Sequence, residues 1–322
     1  MASASAPPEA QQRPAQPPPP SGSRTDRARA QRWARRLPLL PALIFVIICT
    51  QLPFLVTIVV SLMNWNALYP DDISFAGLSN FAAVFQDAAL RSAVVVTIIL
   101  TVVVVVVSLL IGLGLALLLN RQFFGRGLVR TMLIAPFLIV PIAAALLWKH
   151  ILLNPSYGLV NGVLNWIWSA FGATPPQIAW VSDFPLMAIE VALIWQWAPF
   201  MMLILLAGLQ SLPADAIEAA GVDGAGPVQI FRYITVPHLR RYLELGALLG
   251  SIYIVQNFDA VFTMTQGGLG TANLPFTIYR TFFQAQDYGL SSATGVLVVI
   301  GTIVIATFAL RTVSSLLNEE DH

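Results

Sequence analysis

Apolar residues in this chain neither alternate with polar ones at the two-residue period of a half-buried strand nor recur at the three-to-four spacing of a one-faced helix; they gather into long runs. Five of these, near residues 37–63, 92–119, 128–149, 186–210 and 290–311, are long enough for a helix to cross a hydrocarbon layer about 30 Å thick. A sixth, 242–264, carries Glu244, Gln256, Asn257 and Asp259, and polar groups inside lipid are costly enough to mark a functional position. The pattern predicts an all-α polytopic membrane protein with six transmembrane helices. The first run is longer than the apolar core of about 7–15 residues in a signal peptide, and no small-residue cleavage site follows it. It reads as a retained span.

Composition sharpens this picture. The 322 residues are 57% hydrophobic and 10% charged, against about 25% charged in an average soluble domain, which excludes an ordinary soluble enzyme. A net charge of +1 offers no basic surface for a nucleic-acid backbone. Residues 1–36 are rich in Pro, Ala, Gln and Arg, with Pro17 to Pro20 in a row, and read as a disordered tail. With that tail inside and the loops alternating, fourteen of the 17 basic residues fall on the inner side: the tail cations, Arg121, Arg126, Arg130, Arg232, Arg240, Arg241 and Arg311. Only Arg91, Lys149 and Arg280 fall outside, so both termini are expected in the cytoplasm of a multi-pass plasma (inner) membrane protein. Trp65, Tyr69, Trp166, Trp168 and Trp180 then lie in outer loops, as interface anchors or contacts for an external partner.

Several chemistries drop out. Lys149 is the sole lysine and precedes His150, so the Gly-Lys-Ser/Thr step of a nucleotide loop is absent, and any ATP energy must come from a partner. Cys49 stands alone, which leaves no internal disulfide or Cys-x-x-Cys pair. His150, His238 and His322 are far apart and on different sides of the expected topology, so no metal site is expected.

Between the fourth and fifth runs the chain reads Leu-Pro-Ala-Asp-Ala-Ile-Glu-Ala-Ala-Gly-Val-Asp-Gly-Ala-Gly-Pro over 212–227 and continues to Pro237. Local chemistry predicts two short helices. Pro213 and Pro227 suit first turns, Gly224 and Gly226 supply the turn between, and Pro237 stops the second helix. Ala216, Ala219 and Ala220 make one side of the first helix small enough for close approach, and Asp215 and Glu218 are available for cations; a solvated connector has the same features.

The full spacing of this stretch resembles the Glu-Ala-Ala motif of ABC importer permeases, which continues with three residues, Gly, nine residues and Ile-x-Leu-Pro. Glu218, Ala219, Ala220, Gly224, Ile234 and Pro237 match, and Val236 replaces the Leu. The resemblance implies that 211–240 is a coupling loop whose first helix docks into a cleft on an ATPase subunit. Glu218 would pair there with a basic group, Ala219 and Ala220 would allow close packing, Gly224 would make the turn, and Asp215 and Asp223 would flank the contact.

Two segments are candidates for the transport path. In the fourth run, Pro199 removes a backbone bond to the Trp195 carbonyl and predicts a kink beside Trp195, Gln196 and Trp197, as a ligand contact or as packing. At the end of the fifth, Gln256, Asn257, Phe258 and Asp259 combine hydrogen-bonding groups with an aromatic face, suited to a hydroxylated ligand or to contacts between helices. This segment is similar to the carbohydrate-uptake, maltose-type branch of the family, in which a Phe-Asp pair precedes Thr-x-Gly-Gly-Pro; Leu269 stands here for the proline. Tyr279, Phe282, Phe283, Asp287, Gly289 and Ala293 fit the same branch, and Asn273-Leu274-Pro275-Phe276 resembles sugar-alcohol (sorbitol or mannitol) permeases.

The wider likeness covers about residues 37–316, expected as one six-helix permease domain between the tail and a cytoplasmic end at 317–322. The resemblance implies a non-enzymatic transport subunit that binds no cofactor itself. ATP and Mg would sit on a partner pair of ABC ATPases, alongside a second permease subunit, an extracytoplasmic solute-binding protein and a sugar or polyol substrate. The rival classes are an ion-coupled secondary carrier titrating Glu190 or Asp259, and a noncatalytic membrane scaffold.

Overall fold

The computed structural model describes residues 40–172 and 177–319. The tail read over 1–36 and residues 320–322 lie outside the described residues. The chain divides after Leu55 into two units. Helix α1, Leu40–Ser61, begins in the first; its 22 residues are almost wholly apolar, with Pro53 inside. Thr50 Oγ1 donates to the Val46 carbonyl at 2.7 Å, which satisfies the hydroxyl within its own helix.

In the second unit a two-residue hairpin, β1 (Met63–Asn64) against β2 (Ser74–Phe75), is held by Asn80, whose Nδ2 donates to the carbonyls of Ser61 and Met63. Helix α2 (Ser79–Gln86) leads into α3 (Ala88–Asn120), which starts where the Asp87 carboxylate accepts from the amides of Ala89 and Leu90. Its 33 residues extend about 50 Å at 1.5 Å per residue. There follow α4 (Arg126–Leu138), α5 (Pro141–Leu146, continued by a π-helical turn to Leu152), α6 (Leu159–Ala170), α7 (Trp180–Asp183) and α8 (Pro185–Gln210).

The core lies between α3 and α8. Leu100, Val104 and Val105 of α3 meet Ile189, Ala192 and Leu193 of α8, and further along Ala116 and Leu119 meet Met202, Leu205 and Leu206. Gly112 sets the approach: a Cβ there would lie 2.8 Å from Met201 Cβ and the Met202 amide. A larger residue would push these two helices apart.

Among the described residues α1, α3 and α8 are long and apolar enough to cross a membrane, and a fourth crossing results if one bent pair counts as a single span. That pair corrects the third expected span. Instead of one helix over 128–149, α4 and α5 meet at 96°. Ile139 and Val140 are extended between them, and Pro141, which cannot donate to a preceding turn, starts α5. The fifth run is also interrupted. After α9 (Ala214–Val222) and α10 (Pro227–Ile230), α11 covers Val236–Val255, and α12 (Asp259–Met264) begins only after a break at Gln256–Phe258. Then come α13 (Leu274–Tyr279) and α14 (Tyr288–Glu319).

Candidate functional site

Most of the loop between α8 and α11 forms as its prolines and glycines direct, although Pro213 is the N-cap of α9 and not a first-turn residue. Pro213 precedes α9, Gly224 turns the chain at φ +84° with open space around its Cβ position, and Pro227 opens α10. Asp215, Glu218, Ala219, Asp223 and Gly224 are exposed, while Ala220 and Ile234 are half-buried. Val222 and Val228, 88% and 78% exposed, put two apolar side chains in solvent beside the turn at Gly224.

Pro237 does not stop the second helix. From α10 the chain passes through a π-helical turn, Phe231–Thr235, directly into α11, with Pro237 in its first turn. The wide turn bonds the Val236 amide to the Phe231 carbonyl five residues back, and shifts the register where Pro237 has no N–H to give. Glu244 owes its place in the apolar run to Arg240, whose Nε lies 3.0 Å from its Oε1.

The path candidates divide. Gln196 is buried and its Nε2 donates to the Ile139 carbonyl at 2.9 Å, so it satisfies the backbone opened between α4 and α5. Trp195 packs edge-on against Trp148, and Trp197 edge-on against Phe137 and Phe200 and tilted, at 5.3 Å, against Tyr253 of α11. Helix α8 runs uninterrupted through buried Pro199. Gln256 is exposed, Asn257 and Asp259 are half-buried, and Phe258 stacks on Phe262 and meets Tyr279 at a tilt of 52°. Trp197 and Phe258 pack on the same core cluster, which includes Leu193 and Ile254. The two path segments thus share a neighbourhood.

Buried Asn273, read from sequence only as part of a polyol-like stretch, organises the break. Its Nδ2 donates to the Asn257 carbonyl, its Oδ1 accepts from the Phe276 amide at 3.1 Å, and its carbonyl accepts from Thr277 Oγ1 at 2.9 Å. The Leu274 amide donates to Thr97 Oγ1 of α3. Asn followed by Leu-Pro is a helix-start signature, and that signal was available in the sequence. Lys149 Nζ donates to the Thr263 carbonyl at 2.9 Å, a cation on the last turn of α12. The Asn257 Oδ1 is buried with no partner among the described residues.

Leu269 sits at φ +55° within a turn where Gln266, Gly267 and Gly270 are also left-handed. Proline, locked near −65°, has no access to that conformation. The turn of this chain therefore differs from one built on Thr-x-Gly-Gly-Pro.

A family model described as "Binding-protein-dependent transport system inner membrane component" matches residues 108–317. A probable ABC transporter permease protein of Sinorhizobium fredii is 34% identical over 83% of this chain and 85% of its own length. The trehalose/maltose transport system permease protein MalF of Thermococcus litoralis is 33% identical over 81% and 87%. The crystal structure of a bacterial ABC transporter that imports the acidic polysaccharide alginate contains a chain of the same fold, with a TM-score of 0.76 at 22% identity over 91% of this chain and 99% of that one.

Proposed function

The chain belongs to the family of binding-protein-dependent transport system inner membrane components, and on that premise we propose that it is the permease subunit of an ATP-driven importer of a carbohydrate. The subunit translocates and does not catalyse. An ATPase pair with its ATP and Mg, a second permease and an extracytoplasmic binding protein complete the machine. The sugar class is supported by the trehalose/maltose relative, and no comparison supports an ion-coupled carrier or singles out a polyol.

In this reading α1, α3, the α4–α5 pair, α8, α11 with α12, and α14 are six crossings, with both termini and the 211–240 loop in the cytoplasm. The basic residues on that side support it. Residues 37–316 make one permease domain. Glu218, Ala219 and Ala220 form the face of α9 that meets the ATPase, with Asp215 and Asp223 beside it, while Gly224, Ile234 and Pro237 hold that face in position. Asn257, Phe258, Asp259 and Gln256, with Trp197 opposite, border the path; Trp195, Gln196 and Pro199 shape it. ATPase closure would move α9 and, through it, the spans, giving alternating access.

The observation that carries the proposal is α9 itself, a short exposed helix bearing the Glu-Ala-Ala face beside the exposed Val222 and Val228. The test is purification of the membrane complex with Glu218→Arg. Unaltered protein should bring the ATPase with it and the variant should not. An ATPase retained at wild-type yield by the variant would sink the assignment of this face.

A further inference from the structure

The two stems of the loop are tied by a polar knot that belongs neither to the Glu-Ala-Ala spacing nor to the path. Ser211, which ends α8, places its Oγ 2.8 Å from the Gly208 carbonyl, 2.8 Å from the Tyr242 hydroxyl and 3.0 Å from His238 Nε2. His238 Nε2 is also 3.2 Å from the Gly208 carbonyl. One proton arrangement serves all four contacts. Ser211 donates to the carbonyl, Tyr242 donates to Ser211, and a protonated Nε2 is shared between the Ser211 oxygen and the carbonyl.

Packing reinforces the hydrogen bonds. A Cβ at Gly208 would lie 2.6 Å from Tyr242 Cδ2, so the ring rests directly on the α8 backbone. The Arg241 guanidinium carbon lies 5.0 Å from the centre of that ring. His238 and Tyr242 stand four residues apart, one turn of α11, and present one face to the end of α8.

A displacement of α9 reaches the spans along the chain through its stems, Leu212–Pro213 on one side and residues 223–235 on the other. Stems free to separate would absorb the displacement in the loop, whereas tied stems carry it to both spans as one body. We infer that Ser211, His238 and Tyr242 are positioning residues that clasp the end of α8 to the first turns of α11, so that movement of the coupling helix is delivered to both spans together. This rests on the coupling role proposed above.

The experiment uses the assembled complex in lipid nanodiscs, with nitroxides at Gln210→Cys and Leu245→Cys in a Cys49→Ser background, both exposed positions outside the clasp. Dipolar broadening is compared between the nucleotide-free and the ATP–vanadate-trapped states. With the clasp intact the spectra should coincide in the two states. The double variant His238→Ala, Tyr242→Phe should broaden the separation and make it change between states, while the ATPase still copurifies. His238→Gln, which keeps a donor near the Nε2 position, should restore coincidence; His238→Asn should not. In proteoliposomes given the cognate binding protein and labelled trehalose, the double variant should carry about fivefold less sugar per ATP hydrolysed, the lower end of ordinary coupling factors.

Coincident spectra in the double variant, or a separation that already changes in the intact clasp, would overturn the inference. If the double variant does not assemble, Tyr242→Phe alone, which keeps the ring on Gly208, is read in the same way. An ATPase absent from the wild-type complex would instead overturn the coupling role itself, so the two failures are distinct. The spectra decide the clasp even if trehalose is not the sugar carried.

Discussion

The loop of residues 211–240 and the interrupted helix that follows it are neighbours in the chain and are built on opposite terms. The loop is set by local chemistry: prolines start its helices, Gly224 turns it into open space, and its acidic and apolar side chains face outward. The break at 256–273 is set by remote groups. Asn273 reaches back to Asn257, Thr97 on α3 receives the Leu274 amide, and Lys149 caps α12 from the far side of the sequence. An exposed loop can change its chemistry at little cost in stability, whereas a buried break cannot change without orphaning backbone groups.

That contrast can be broken by experiment. Its largest expected effect is functional. Glu218→Arg should abolish ATPase association and transport yet leave the thermal unfolding temperature of the purified subunit unchanged, because Glu218 is exposed and makes no ion pair among the described residues. A matched fall in unfolding temperature would mean that the loop is structural after all. Gly267→Ala comes next. Its Cβ would fall 2.1 Å from the Phe276 ring at φ +66°, which should destabilise the protein by about 3 kcal/mol or more, read as a lost or strongly lowered melting transition.

Asn273→Ala should cost about 2–3 kcal/mol by leaving buried amide and carbonyl groups unpaired, and wild-type stability in that variant would remove Asn273 from the architecture of the break. Smallest is Gly224→Ala. The residue is also left-handed, at φ +84°, but has nothing within 4 Å of the added methyl, so about 1 kcal/mol of backbone strain is expected. The difference between the two glycine variants isolates crowding from dihedral strain. Equal losses would show that the surroundings of Gly267 yield more readily than the packing implies.

How far the sequence was readable follows the same division. Helices cover each of the six apolar runs, the third and fifth broken in two, and the loop helix over 214–222 follows from its prolines, glycines and alanines. Pro237 is a helix stop by local chemistry, yet the π-helical turn before it moves the hydrogen-bond register and leaves the proline in the first turn of α11. The sequence leaves Gln196 open between a ligand contact and packing, because its partner, the Ile139 carbonyl, is freed by a break that no local signal announces beyond Pro141. The knot of Ser211, His238 and Tyr242 left only the four-residue spacing of the last two as a trace.

By itself the sequence determined that this chain is helical and membrane-embedded, how its cations divide between alternate loops, and that one of those loops turns into a short helix rich in alanine. Each of these depends on run length, composition or local turn chemistry, quantities that need no knowledge of what lies across the fold. Only the tertiary structure decided where the third and fifth runs break and which polar residues are committed to those breaks. Partners for opened backbone groups come from wherever packing places a donor or acceptor: Gln196 for Ile139, 57 residues apart, Lys149 for Thr263, 114 apart, and Thr97 for Leu274, 177 apart.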